Sequence, residues 1–294
     1  MSDGYFPPAH SIVHRVHREK AVGLLYGQRA LCIGALKPLN YVGTSEHTRA
    51  KRTPFRRLAH TAAMFEAVLL GSRGEADRVL EIVARMHEHV VGSLPEDAGT
   101  HYPAGTPYSA LDPDLMLWTI AVAADSAEWL YDHLVRPLSD GEREAFWQDY
   151  IRFGELFGMP RAIAPSSYAD FRAWYEQQLR GADLHLTEEA RYMGHAAAFE
   201  IPMSNLHRPA KRLHDLIMLG SLPVRVRELY ELPYTPAHAV AFKSALRILR
   251  TTRGLLPTKL TQGSCLREFE MVAATERSRI ARGIPTPQLV RFIA

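Results

Sequence analysis

The chain reads as an all-α protein, a single multi-helix domain, on three observations. Apolar residues recur at helical spacing almost throughout, no convincing alternating strand appears, and stretches of helix are punctuated by proline, glycine and N-capping residues. With 294 residues, 47% of them hydrophobic, a sizeable core can be filled. At 23% charged residues and a formal net charge of +3, neither disorder nor a polyanionic partner is indicated, and nucleic acid is set aside. The densest basic run is Arg49, Lys51, Arg52, Arg56 and Arg57, read as a solvated helix approach.

Residues 11–37 read as one or two helices closed by Pro38, and 39–52 as a polar connector. Thr53-Pro54 is an N-cap with proline at the first helical position, opening a helix to Leu70 that Gly71 and Gly74 end. Its apolar stripe is Leu58, Ala62, Phe65, Val68 and Leu69. Glu75 opens the next helix, with Ala76, Val79, Leu80, Val83 and Val90 on one side and Gly92 as its end. A loop rich in proline, glycine and tyrosine follows, and Asp112-Pro113 starts a strongly apolar helix to about Leu134. Ser139 and Glu142 make a capping box for a helix to Phe157, which Gly158 and Pro160 stop. Ser166 or Ser167 caps a helix to Leu179, and Thr187-Glu188-Glu189 opens one to Phe199. Shorter helices are expected near 205–220, 222–231, 236–252 and 266–283. The division is an N-terminal extension over 1–20, the all-α domain over 21–255, and a C-terminal helical extension over 256–294 packed on the same domain.

Two cysteines, Cys32 and Cys265, support neither a disulfide framework nor a cysteine-based zinc site. The N-terminus lacks the apolar core of a signal peptide, and no apolar run approaches the roughly 20 residues that span a bilayer. A cytoplasmic protein without a membrane span is expected. There is no glycine-rich phosphate loop, no G-x-S-x-G elbow and no paired Glu-x-x-His motif, which argues against nucleotide, serine-hydrolase and di-iron chemistry.

Among 14 histidines, His87 stands out because helical spacing puts it on the buried side with Val83 and Val90. Such a residue is either a core histidine bonded to a backbone carbonyl or a neutral imidazole suited to an axial haem position. No second histidine four residues on supports a helix-borne zinc site. Arg57 and Thr61, one turn apart, can reach one feature. The arginine either snorkels to solvent or meets an anion, and the threonine bonds a ligand or its own backbone. Glu46-His47 is either a surface pair or a proton donor and base. Tyr108-Ser109-Ala110 reads as a cap or a lid, and Trp118 as core or cofactor wall.

These residues together resemble the MpaB and rubber-oxygenase family, which includes latex-clearing protein. The likeness runs through Gly27-Gln28-Arg29-Ala30-Leu31, Gly43 with Glu46-His47, Arg57-Leu58 and Thr61, and Met86-His87 with Val90 and Gly92. It continues through Tyr108-Ser109-Ala110-Leu111-Asp112-Pro113, Trp118, Pro137-Leu138-Ser139, Gly158 with Pro160, and Leu222-Pro223 with Arg227, covering roughly residues 20–235. The resemblance implies a globin-like haem-binding core, haem b as cofactor, dioxygen as co-substrate, and an apolar or prenyl-like small-molecule substrate, with an electron donor as a further partner. It places the proximal ligand on His87, haem-adjacent roles on Arg57 and Thr61, a distal acid on Glu46, and cofactor contacts on Tyr108 and Trp118. Two departures touch the distal side: Leu36-Lys37-Pro38 stands where the family often has Ala-His-Pro, and His60 replaces the lysine before the threonine. Two other readings remain: a haem-binding or sensing module without turnover, and a cofactor-free helical binding protein.

Overall fold

The helix Pro113–Leu134 is apolar on nearly every side and is the axis on which the others pack, as a helix buried all round must be. In the computed structural model the described residues are 3–48, 51–203 and 207–288. Arg49 of the basic run and the first residues of the helix expected from 205 lie outside them.

In chain order the helices are α1 (Ile12–His17), α2 (Lys20–Gly23), α3 (Tyr26–Gly34), α4 (Pro38–His47), α5 (Pro54–Leu70) and α6 (Arg73–His87). After a two-stranded ribbon, β1 (Val91–Ser93) and β2 (Pro107–Ser109), come α7 (Pro113–Leu134), α8 (Asp140–Leu156), α9 (Tyr168–Arg180) and α10 (Glu188–Phe199). The last are α11 (Arg208–Ser221), α12 (Val224–Leu229), α13 (Pro236–Leu255), α14 (Thr258–Thr261) and α15 (Leu266–Ala281). The fold is all-α and forms one domain with one continuous core. No helix among the described residues is long and apolar enough to cross a membrane.

Caps explain most boundaries. Ser139 and Glu142 close a reciprocal capping box on α8, Ser167 caps α9, and Thr187 caps α10, all as expected. Ser72 and Glu75 do the same for α6, so that helix opens two residues before Glu75. At α5 the cap is remote. Thr53 makes no side-chain cap bond; instead the amides of Phe55 and Arg56 donate to the Glu276 carboxylate of α15, at 3.0 and 2.9 Å.

Four local expectations need correction. Residues 39–52 do not form a polar connector throughout, because Pro38 opens α4 rather than closing a helix. Proline at the first helical position forfeits no bond, and Tyr41, Val42 and Ser45 are buried on one side. The stretch 11–37 holds three short helices, α1 to α3. α6 ends at His87, not Gly92, and a ribbon follows where no strand was expected. Its strands are three residues each and only Tyr108 is buried, so they leave no alternating pattern; backbone pairing alone defines them.

Residues near the N-terminus enter the same core: Phe6, Val13 and Val16 are buried, as is His17. The His17 ring shares a 2.6 Å hydrogen bond between Nε2 and the Tyr150 hydroxyl. Burial pushes its pKa down to about 3, with a smaller push from His14. In the unfolded chain an imidazole titrates near ~6.5, so between the two values the unfolded state binds more protons. The stability due to neutral His17 is therefore complete above about pH 6.5 and falls by about 1.4 kcal/mol per pH unit as acid is added, down to the folded value. Denaturant midpoints measured from neutral pH into acid should fall less steeply for His17→Gln than for the wild type. Equal slopes would show that His17 is not the group responsible.

Candidate functional site

α5 and α6 form an antiparallel hairpin joined by Gly71 and Ser72. Arg57 lies 13 residues before the end of α5 and His87 is the last residue of α6, 14 residues from its start. At 1.5 Å per residue both stand about 20 Å from the turn, at the same end of the hairpin.

His87 is half-buried beside buried Val83, while His89 is exposed and its Nδ1 bonds the Arg85 carbonyl. The His87 Nδ1 atom is buried and has no hydrogen-bond partner. Burial lowers its pKa, with no charge contributing, so the ring is neutral at physiological pH. A buried polar atom left unsatisfied costs about 1–3 kcal/mol, which a ligand at that atom would offset. Arg57 is similarly placed. Burial lowers its pKa, and no carboxylate among the described residues counters the loss of hydration. A desolvated guanidinium without a counter-charge is suited to a carboxylate-bearing ligand. Thr61, one turn further on, is exposed, and its hydroxyl donates to the Arg57 carbonyl at 3.1 Å.

The ribbon ties the end of α6 to the end of α4. The Val90 amide donates to the His87 carbonyl, and β1 then pairs antiparallel with β2, placing Gly92 opposite Tyr108. The Tyr108 hydroxyl shares a 3.1 Å hydrogen bond with His47 Nε2. Burial raises the Tyr108 pKa, and the charge of half-buried Glu46 raises it further. Glu46, His47 and Tyr108 thus form one polar group beside the helix bearing His87. The sequence singled out all three but could not pair them, because 61 residues separate His47 from Tyr108.

Gly92 has a role other than ending a helix. A Cβ there would lie 2.6 Å from the Tyr108 hydroxyl oxygen and 2.8 Å from the ring carbon bearing it. Gly92→Ala should therefore displace the Tyr108 ring, loosen the bond to His47, and cost about 1–3 kcal/mol. In a Tyr108→Ala background the same substitution should cost little, and equal costs in both backgrounds would remove the packing account.

Trp118 stands apart from this group. It is fully buried on α7, donates its indole N–H to the Gly34 carbonyl at 3.1 Å, and stacks on Tyr175. Its contacts are with α3, with α9 and with Lys37, whose ammonium lies 5.1 Å from the ring centroid just before α4. Among the described residues no three His, Cys, Asp or Glu side chains converge to hold a bare metal ion. A haem needs no such cage, since the porphyrin supplies the in-plane ligands and the protein an axial one. A cavity of about 380 Å³ near Phe199, Ile201, Arg208 and Arg279 contains none of the predicted site residues.

Half-buried His87 closes α6 with a buried, unpartnered Nδ1, half-buried Arg57 lies in the first turn of α5, and the Glu46, His47 and Tyr108 group lies at the end of α4. Over residues 14–251 the chain matches the family described as the catalytic domain of ER-bound oxygenase mpaB/B′ and rubber oxygenase, and it belongs to that family. Its activity class is accordingly that of an oxygenase. Uncharacterized proteins of Mycobacterium bovis and Mycobacterium tuberculosis are each 24% identical to it over 208 residues, covering 69% of this chain and 76% of their own length. No solved structure matches significantly.

Proposed function

We propose that this protein is a haem b-dependent oxygenase acting on an apolar or prenyl-like small molecule, with His87 as the proximal ligand. The observation that carries the reading is the buried, unpartnered Nδ1 of a neutral His87 at the end of α6. Family membership supports the oxygenase class, and the desolvated Arg57 supports an anionic cofactor edge.

When bound, haem would supply iron able to activate dioxygen, with reducing equivalents from an electron donor. The chain's own residues have separable tasks. His87 would hold the iron, its neutrality leaving a nitrogen lone pair for coordination. Arg57 would pair with a propionate carboxylate and so help to hold the cofactor. The His47–Tyr108 hydrogen bond would hold a proton between the ring nitrogen and the phenol, with Glu46 favouring the protonated phenol. Thr61 would donate to a ligand only by releasing its bond to the Arg57 carbonyl. Trp118 would contribute to an apolar wall through its helix. We infer a cytoplasmic setting as well, which the two free, buried cysteines support.

The test is a titration of the purified protein with haem, followed by absorption. A saturable Soret band at one equivalent is expected. If added haem keeps the spectrum it has in buffer, this function fails.

A further inference from the structure

The inner face of α13 is fully employed. Phe242 and Ala245 are buried, Phe242 stacks on Trp129 over the bare surface of Gly220, and Arg253 pairs with Glu19. Its outer face is of another kind. At roughly 100° per residue, Val240, Ser244, Ile248, Thr251 and Leu255 line up away from the core. Val240 is 67% exposed, Ile248 64% and Leu255 81%, values far beyond what the core explains. Leu256 and Leu260 extend this apolar strip into α14 and are exposed too.

Charge lies beside it. Lys243, Arg247 and Arg250 are exposed and form the adjoining stripe of α13, and Lys259 follows in α14. From Pro236 to Thr261 the chain has no acidic residue. Mixed-sign surface is the ordinary solution for a solvated helix; an all-cationic stripe flanking exposed leucine, isoleucine and valine, with Asp132 of α7 acting on Arg250 alone of its three residues, is not. A basic, amphipathic helix of 20 residues fixed along a domain surface has the composition of an in-plane interfacial helix.

We propose that the outward face of α13, continued by α14, docks this protein on an anionic phospholipid bilayer. Val240, Ile248, Leu255 and Leu260 enter the boundary between headgroups and acyl chains, while Lys243, Arg247 and Arg250 meet lipid phosphates. Charge complementarity selects this occupant over a second copy of the chain, whose equivalent face carries the same positive stripe and would repel it. The proposal is independent of cofactor and turnover, because it concerns a face that none of the candidate site residues occupies.

Co-sedimentation of the full-length protein with vesicles tests it. Binding is expected to vesicles of phosphatidylcholine mixed with phosphatidylglycerol, not to phosphatidylcholine alone, and should weaken as salt is raised. Lys243→Gln, Arg247→Gln and Arg250→Gln combined should lower partitioning roughly a hundredfold, each charge counting for a factor of roughly five. Ile248→Gln with Leu255→Gln should lower it about tenfold or more. The charge variant removes no apolar contact, so it keeps the test decisive if the other misfolds. Absence of binding to mixed vesicles, or binding that survives the triple substitution, overturns the proposal. So does a wild-type dimer that Ile248→Gln and Leu255→Gln convert to monomer, since a second copy would then cover the face.

Discussion

Replacing His87 by alanine is expected to abolish the Soret band of the haem-loaded protein, or to move it to the position of non-specifically bound haem. An axial imidazole is the main bond between iron and protein, and its loss should weaken haem binding by at least about a hundredfold, beyond what loss of a supporting hydrogen bond costs. The fold should barely respond. The side chain is only half-buried, and its Nδ1 is already without a partner, so alanine removes a polar liability along with some packing. Unchanged thermal melting of the haem-free protein with a lost spectrum after haem is added is therefore the signature of a ligand. His87→Gly with imidazole added from solution should restore the band, which a purely structural histidine would not allow. If His87→Ala instead binds haem with wild-type affinity and spectrum, the ligand role passes to another histidine.

Asp125→Ala should produce the largest loss of stability. Its carboxylate is buried on α7 and accepts from Arg29 at 2.7 Å and Arg172 at 2.6 Å. Arg29 is itself buried at 2% exposure, with further bonds to the Ser126 hydroxyl and the Ser221 carbonyl. Removing one partner leaves a guanidinium charge in the core without its carboxylate, which costs about 3–5 kcal/mol. Against a total of about 5–15 kcal/mol for a typical domain, that is a large share. Burial raises the Asp125 pKa, but the two guanidiniums and their hydrogen bonds outweigh it and hold the group below its usual value. The stability it contributes is thus complete above the unfolded value of about 3.9 and is lost as pH falls through the lower folded value. Urea midpoints at neutral pH should drop sharply for Asp125→Ala. A loss under about 1 kcal/mol would mean that the network is dispensable.

How much of this was legible in the amino-acid chain depends on how local each cause is. α8, α9 and α10 were readable because Ser139, Ser167 and Thr187 sit next to the helices they cap. The end of α5 was readable from Gly71. α4 was not, because Pro38 looks alike whether it ends one helix or begins another, and burial of Tyr41 and Val42 arises only in the assembled core. The ribbon was hidden by its shortness, and Gly92 was read as a helix end when its smallness serves Tyr108. At the site, Arg57, Glu46, His47, Tyr108 and His87 were each visible as residue types. The pairing of His47 with Tyr108 was not, since it depends on a ribbon that returns across the end of α4. The cap on α5 was the least legible of all, being supplied by Glu276 from 220 residues away.

That remote cap bears on what counts as the enzyme. The region shared with the oxygenase family stops at residue 251, whereas Glu276 lies in α15 beyond it. Buried at 0% exposure, its carboxylate braces the first turn of the helix that carries Arg57. Trimming the protein to the shared region would strip two amides of their acceptor and free the start of α5 to fray. The folded unit in this molecule therefore extends past the matched region, and α15 is structural foundation for the helix that carries Arg57.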